Sequence, residues 1–89
     1  MKRKQITFYG RVQGVGFRYR SVSIARQLGL TGWVKNEWDG SVLMEVQGED
    51  VLIDTLISRL ENERFIRIER KCVMNMPLLE GERDFKERY

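Results

Sequence analysis

Gln5-Ile6-Thr7-Phe8-Tyr9-Gly10-Arg11-Val12-Gln13-Gly14-Val15-Gly16-Phe17-Arg18 holds two hydrophobic rhythms separated by a glycine-rich break. Before the break, Ile6 and Phe8 alternate with Gln5, Thr7 and Tyr9, the period of a half-buried strand that stops at Gly10. After it, Phe17, Ile24, Ala25 and Leu28, with Val22 at the margin, recur at helical spacing as far as Gly29, a residue suited to end a helix. Residues 30–36 and 41–48 return to strand character. Between them stands Glu37-Trp38-Asp39-Gly40, whose Asp-Gly pair signals a hairpin, so these two strands should be antiparallel neighbours. Glu49 and Asp50 open a second helix with the stripe Leu52, Ile53, Leu56, Ile57 and Leu60, ending near Asn62. A fourth strand is expected over about 65–76, and a weaker fifth in 83–89 after the loop containing Pro77 and Gly81.

The element order βαββαβ, with one optional extra strand, combines amphipathic helices with strands that are apolar on one side. That predicts an α+β protein, a ferredoxin-like α/β sandwich in which an antiparallel sheet of four to five strands carries two helices on one face. Residues 1–89 are expected to form a single domain, since a chain this short can feed only one core. Two places break the pattern. Ile66, Ile68, Cys72, Met74 and Met76 share their parity with Arg70, which predicts a bulge or change of face near Arg70. Glu87 lies between Phe85 and Tyr89 on what should be one face.

Composition removes several chemistries. With no histidine there is no His-based zinc site, no Cys-His nucleophile and no Ser-His-Asp triad, and the single Cys72 cannot close an internal disulfide. No stretch is long and apolar enough for a membrane span or a secretory signal, which predicts a cytoplasmic protein without membrane partners. A net charge of +3 favours anionic partners without naming one.

The loop Gly10, Arg11, Val12, Gln13, Gly14, Val15 and Gly16 lies between a strand and a helix start. Its glycines accept the positive φ angles at which successive N–H groups converge, and the helix start adds unpaired N–H groups and a positive dipole end. Arg18, in the first turn, leans back toward the loop. The place suits phosphate, with inorganic phosphate or sulfate as competing anions. Taken alone these residues read equally as a structural turn, for neither the dinucleotide fingerprint nor a Walker loop is present. Asn36, on the side of its strand shared with Val34, would approach the helix start if the first two strands bracket the first helix; alternatively it is an ordinary turn residue.

Both stretches, Gly10 to Arg18 and Gly32-Trp33-Val34-Lys35-Asn36, followed by Gly40, Val42 and Gly48, closely resemble the two signature segments of the acylphosphatase family. With the element order and the Gly29-Leu30 break, the resemblance covers roughly residues 5 to 76. It implies a ferredoxin-like domain that hydrolyses the carboxyl-phosphate bond of acyl phosphates without a metal; no cofactor is expected, and the protein is expected to be a monomer. It also implies that Arg18 binds phosphate, that Asn36 positions water, and that the loop from Gly10 to Gly16 is the backbone cradle. Family members often end in an aromatic-x-aliphatic-basic-aromatic strand; here Phe85-Lys86-Glu87-Arg88-Tyr89 puts Glu87 at the aliphatic position. A carboxylate leaving group, with a conjugate-acid pKa of about 4, departs without a general acid, so the chemistry does not ask for imidazole.

Two other classes compete. RNA-recognition modules share βαββαβ order, and Tyr9 and Trp33 are expected on the open sheet face, but residues 41–48 lack the aromatic signature of such modules. A catalytically silent anion-binding or regulatory domain would keep the fold, and the presence of both Arg18 and Asn36 speaks against it. Elsewhere Cys72 reads as a buried packing residue, and Lys2-Arg3-Lys4 and the Arg64, Arg67, Arg70, Lys71 group read as solvated faces. Trp38 either borders the substrate entrance or packs on the loop.

Overall fold

The computed structural model describes residues 1–89. Its elements are β1 (Lys2–Arg11), α1 (Phe17–Gln27), β2 (Thr31–Asn36), β3 (Val42–Gly48), α2 (Asp50–Glu61), β4 (Arg67–Met76) and β5 (Phe85–Arg88). The strands form one sheet in the order β4-β1-β3-β2-β5. β1 pairs antiparallel with β3 and with β4, and β2 antiparallel with β3, as expected of the four-strand core. The fifth strand corrects the expectation, because β5 runs parallel to β2 and the sheet is mixed. The reason is topological. β4 finishes at the end of the sheet where β1 and β2 begin, and residues 77–84 carry the chain to the far edge at that end, so β5 must set out in the direction of β2.

Strand alternation decides which face is buried. Ile6 and Phe8 stand in register with Met44 and Val42, and Val34 with Met44, and all of these side chains are fully enclosed. Phe17, Ile24 and Ala25 of α1 and Ile53, Leu56, Ile57 and Leu60 of α2 join them in one cluster, so both helices cover this face. α1 ends as its sequence predicts: Leu30 N–H donates to the Ala25 carbonyl at 2.9 Å and Gly29 N–H to that of Arg26 at 3.2 Å, with Gly29 at φ 70°. At the start of α2, Asp50 pairs with Lys4 at 2.9 Å and Lys2 at 3.4 Å, consistent with a carboxylate at a helix N-terminus. In β2, Gly32 has φ 141° and a side chain there would overlap the Glu45 carbonyl oxygen of β3, so this position needs glycine for strand contact.

The expected irregularity in β4 is a bulge. Tyr9 pairs with Arg70 but Gly10 with Ile68, leaving Glu69 as the extra residue. The bulge exchanges faces: Ile66 is buried and Ile68 packs against the core, whereas Arg70, Cys72, Met74 and Met76 stand opposite Tyr9, Thr7, Gln5 and Arg3 on the face away from the helices. Cys72 is consequently exposed, which corrects the expectation of a buried thiol.

Arg3 corrects a third expectation. Lys2 and Lys4 pair with Asp50, while alternation sends Arg3 to the outer face of the sheet, where it is only 4% exposed. Its Nε donates to Glu45 Oε1 at 2.9 Å and its Nη1 to Glu82 Oε1 at 2.8 Å. Beside it, Leu79 N–H donates to Gln47 Oε1 at 2.9 Å and Gln47 Nε2 donates to the Leu79 carbonyl at 3.1 Å. The returning segment 77–84 is thus clamped over the outer face and covers Arg3. Arg64, Arg67, Arg70 and Lys71 are exposed, as expected.

Candidate active site

The loop between β1 and α1 is held at both ends by core side chains. Val12 and Phe17 are buried, Val15 packs against the core, and the Phe8 and Phe17 rings meet at 4.9 Å between centroids. Between these anchors Gly14 and Gly16 take φ 73° and 83°, and Gly16, in the left-handed region, caps α1. No side chain caps that helix start and its first turn holds no acidic residue. Its first backbone bond runs from Arg20 N–H to the Gly16 carbonyl at 2.9 Å, so the N–H groups of Phe17, Arg18 and Tyr19 have no partner within the helix. This is a concave row of donors at the positive end of a helix.

Gln13 does a different job from its neighbours in the loop. Its Nε2 donates to the carbonyls of Glu37 at 2.7 Å and Ser41 at 2.8 Å, tying the loop to the β2–β3 hairpin immediately after Asn36. That hairpin is stiff. Asp39 Oδ1 accepts from the Ser41 hydroxyl at 2.6 Å and from its N–H at 3.0 Å, and these bonds hold the Asp39 carboxyl below the ordinary carboxylate range. Trp38, at 97% exposure, stands free at the tip and packs on nothing.

Gly14, Gly16, Arg18, Tyr19 and Asn36 line one cavity of about 150 Å³. Its size suits a tetrahedral oxyanion and falls below the ~300–1,000 Å³ of a pocket for a whole drug-sized ligand. Val12 adds an apolar wall. Gly10 and Arg11 are the last residues of β1 and lie outside the lining, as do Gln13 and Val15. A larger cavity of about 660 Å³ adjoins it, sharing Gly14, Gly16 and Tyr19 and continuing along Arg20, Glu63, Arg64 and Phe65. Here Arg20 pairs with Glu63 at 3.2 Å, while the Tyr19 and Phe65 rings are largely exposed.

Three residues that line the cavity, Phe17, Tyr19 and Glu87, are not among those the sequence singles out for the site, and Glu87 is the charged one. Glu87 Oε2 stands 3.3 Å from Arg18 Nε. β5 delivers it there. Phe85 and Glu87 pair with Gly32 and Val34, so Phe85 plugs the core and Glu87 emerges two residues further along the same face, toward the end of β2 that bears Asn36. A two-pronged pair from Arg26 to Asp84, at 3.0 Å for each bond, fixes the start of β5 and holds the Asp84 carboxyl below its usual range. The last two residues grip Arg18 as well: Nη1 approaches the Arg88 carbonyl at 3.5 Å, and the Tyr89 ring lies 4.9 Å from Cζ. The signal in the sequence was the charge at 87 itself, which breaks the apolar face of the strand.

The model of the family described as Acylphosphatase matches residues 4–86. The chain belongs to the acylphosphatase family. An acylphosphatase from Bifidobacterium longum is 43% identical over 79 residues, spanning 88% of this chain and 81% of that protein. An acylphosphatase from Geobacillus kaustophilus is 39% identical over 90 residues, spanning 100% of this chain and 96% of the relative. The crystal structure of acylphosphatase from Bacillus subtilis superposes over 100% of both chains with a TM-score of 0.91 at 34% identity. The ferredoxin-like architecture expected from the acylphosphatase signatures is therefore the one this chain adopts. Residue 87, the carboxylate at the Arg18 guanidinium, falls just beyond the span of the family match.

Proposed function

We propose that this protein hydrolyses the carboxyl–phosphate bond of acyl phosphates, releasing a carboxylate and inorganic phosphate. The observation that carries the proposal is that Arg18 and Asn36, from different elements, open onto one small cavity walled by the glycine loop and an uncapped helix N-terminus. In this mechanism the loop and helix N–H groups bind the non-bridging phosphoryl oxygens and the Arg18 guanidinium balances their charge. The Asn36 amide holds a water in line with the leaving oxygen. The water oxygen bonds to phosphorus as the phosphorus–acyl oxygen bond breaks, the carboxylate leaves with the electron pair, and the water proton passes to a phosphoryl oxygen. Phosphoryl transfer of this kind asks for placement and charge stabilisation above all.

The acyl group extends into the adjoining cavity past Tyr19 and Phe65, whose exposed rings suit an apolar or aromatic acyl chain. The protein acts as a monomer, and phosphate or sulfate competes for the same cradle. The outer sheet face offers little to RNA bases, because Arg70 lies 4.2 Å over Tyr9 and Arg88 4.6 Å over Trp33. In the chain no helix is long and apolar enough to cross a membrane.

The test is steady-state hydrolysis of benzoyl phosphate in the presence of EDTA. Turnover should be the same with and without the chelator; a requirement for added divalent metal would overturn the metal-free mechanism, and no hydrolysis in either condition would favour a silent binding domain. Asn36→Ala should lower kcat roughly 10²-fold while leaving the inhibition constant for inorganic phosphate nearly unchanged, because the amide touches water rather than the anion. An equal loss in both would show that Asn36 binds phosphate instead.

A further inference from the structure

The small cavity holds a contradiction for a phosphate site. Among the side chains that line it, Arg18 is the one cation and Glu87 the one anion, and they are already paired at 3.3 Å. A site for a phosphoryl dianion would be expected to carry net positive charge. Here the side-chain charges cancel, leaving only backbone N–H groups and the helix dipole in excess. The Arg18 Nε is committed to Glu87 and Nη1 approaches the Arg88 carbonyl, so each of the two forks by which a guanidinium binds an oxyanion has one nitrogen engaged. Glu87 is also held in place. It follows fully buried Phe85 in a strand paired with β2, and the Arg26–Asp84 pair fixes the start of that strand.

We propose that Glu87 is a fixed counter-anion that competes with phosphate for Arg18 and thereby sets how weakly the site holds phosphoryl ligands, substrate and product alike. This rests on the assignment of Arg18 as the phosphate ligand in the preceding subsection. Two consequences follow from the charge. The guanidinium is kept in one place, because Glu87, the Arg88 carbonyl and the Tyr89 ring restrain it from three sides. The occupied site carries a carboxylate a few ångströms from a phosphoryl group, which favours release of the inorganic phosphate product.

Glu87→Gln tests this, since glutamine keeps the shape and an oxygen that accepts from Arg18 Nε but removes the charge. Binding of inorganic phosphate, measured by calorimetry, should tighten by about three- to tenfold, and the KM for benzoyl phosphate should fall in step. The gain should shrink in ~1 M NaCl, where short-range screening is strong. A merely structural strut would give the opposite sign, because loosening Arg18 weakens binding. Phosphate binding that is unchanged or weaker in Glu87→Gln, with an unfolding midpoint near that of the parent, would overturn the proposal. Arg18→Ala measured alongside separates the two levels. If it loses phosphate while Glu87→Gln gains nothing, the role of Glu87 alone fails. If Arg18→Ala binds phosphate as the parent does, the assignment of the site fails and this inference with it.

Discussion

Arg18→Ala is expected to reduce kcat/KM for benzoyl phosphate by ~10³-fold or more and to abolish inhibition by inorganic phosphate. The magnitude follows from how little else in the cavity is positive. Backbone N–H groups of the loop and helix start can orient phosphoryl oxygens, but Arg18 supplies the only cationic side chain, and its loss leaves Glu87 as an unopposed carboxylate in the site. Substrate and product would both meet repulsion where they had met a guanidinium. Arg18→Lys should recover little, because an ammonium is a point charge that cannot serve Glu87 and a phosphoryl oxygen through a planar fork. Folding should survive, since the side chain is a quarter exposed and lies outside the core. Hydrolysis by folded Arg18→Ala at the parent rate would sink the assignment.

Arg3→Met should be the most damaging substitution for stability among the charged residues, costing ~3–5 kcal/mol in urea unfolding, a large part of what a small domain possesses. Methionine keeps much of the volume but leaves Glu45 of β3 and Glu82 of the segment 77–84 with no cation between them. The effect has a pH signature. In the parent, burial pushes the Glu82 carboxyl upward as the largest single influence, yet the hydrogen bonds from Arg3 and Thr31 and the charges of Arg3 and Arg88 outweigh it and hold the group below its ordinary range. A lowered carboxyl contributes stability that is fully present above its unfolded value of ~4.3 and is lost as pH falls through the lower folded value. In Arg3→Met the hydrogen bond and charge of Arg3 are lost and only Thr31 and Arg88 still oppose burial, so acid costs the variant less stability than it costs the parent. The stability gap between them should therefore narrow as the pH drops from 7 to 3. A gap that stayed constant would show that lost packing, not the ion cluster, is responsible.

The elements themselves were legible in the sequence. The switch from alternation at Ile6 and Phe8 to helical spacing at Phe17, Ile24 and Ala25 marks β1 and α1, and the Asp39-Gly40 pair marks the hairpin, because these signals are local. Even the bulge at Glu69 could be anticipated, since Arg70 breaks a shared parity. Its consequence could not. Whether Cys72 or Val73 faces the core depends on the register against β1, and the bulge turned Cys72 outward. The burial of Arg3 is hidden from the sequence for a similar reason. Alternation placed it on the outer face, but only the return of residues 77–84 over that face, some 79 positions later in sequence for Glu82, made it buried.

The candidate site divides along the same line. By itself the sequence determined the parts: a glycine loop before a helix, a guanidinium in the first turn, an amide at a strand end, and the family to which two such segments point. Those are encoded within short stretches, where backbone φ preference and side-chain spacing act. The tertiary structure alone decided that Arg18 and Asn36 share a cavity, through strands running in the same direction on either side of β3, and that β5 lies parallel to β2. That direction carries Glu87 to the guanidinium instead of away from it. Charge balance in the site is a property of distances between segments, and no local pattern records it.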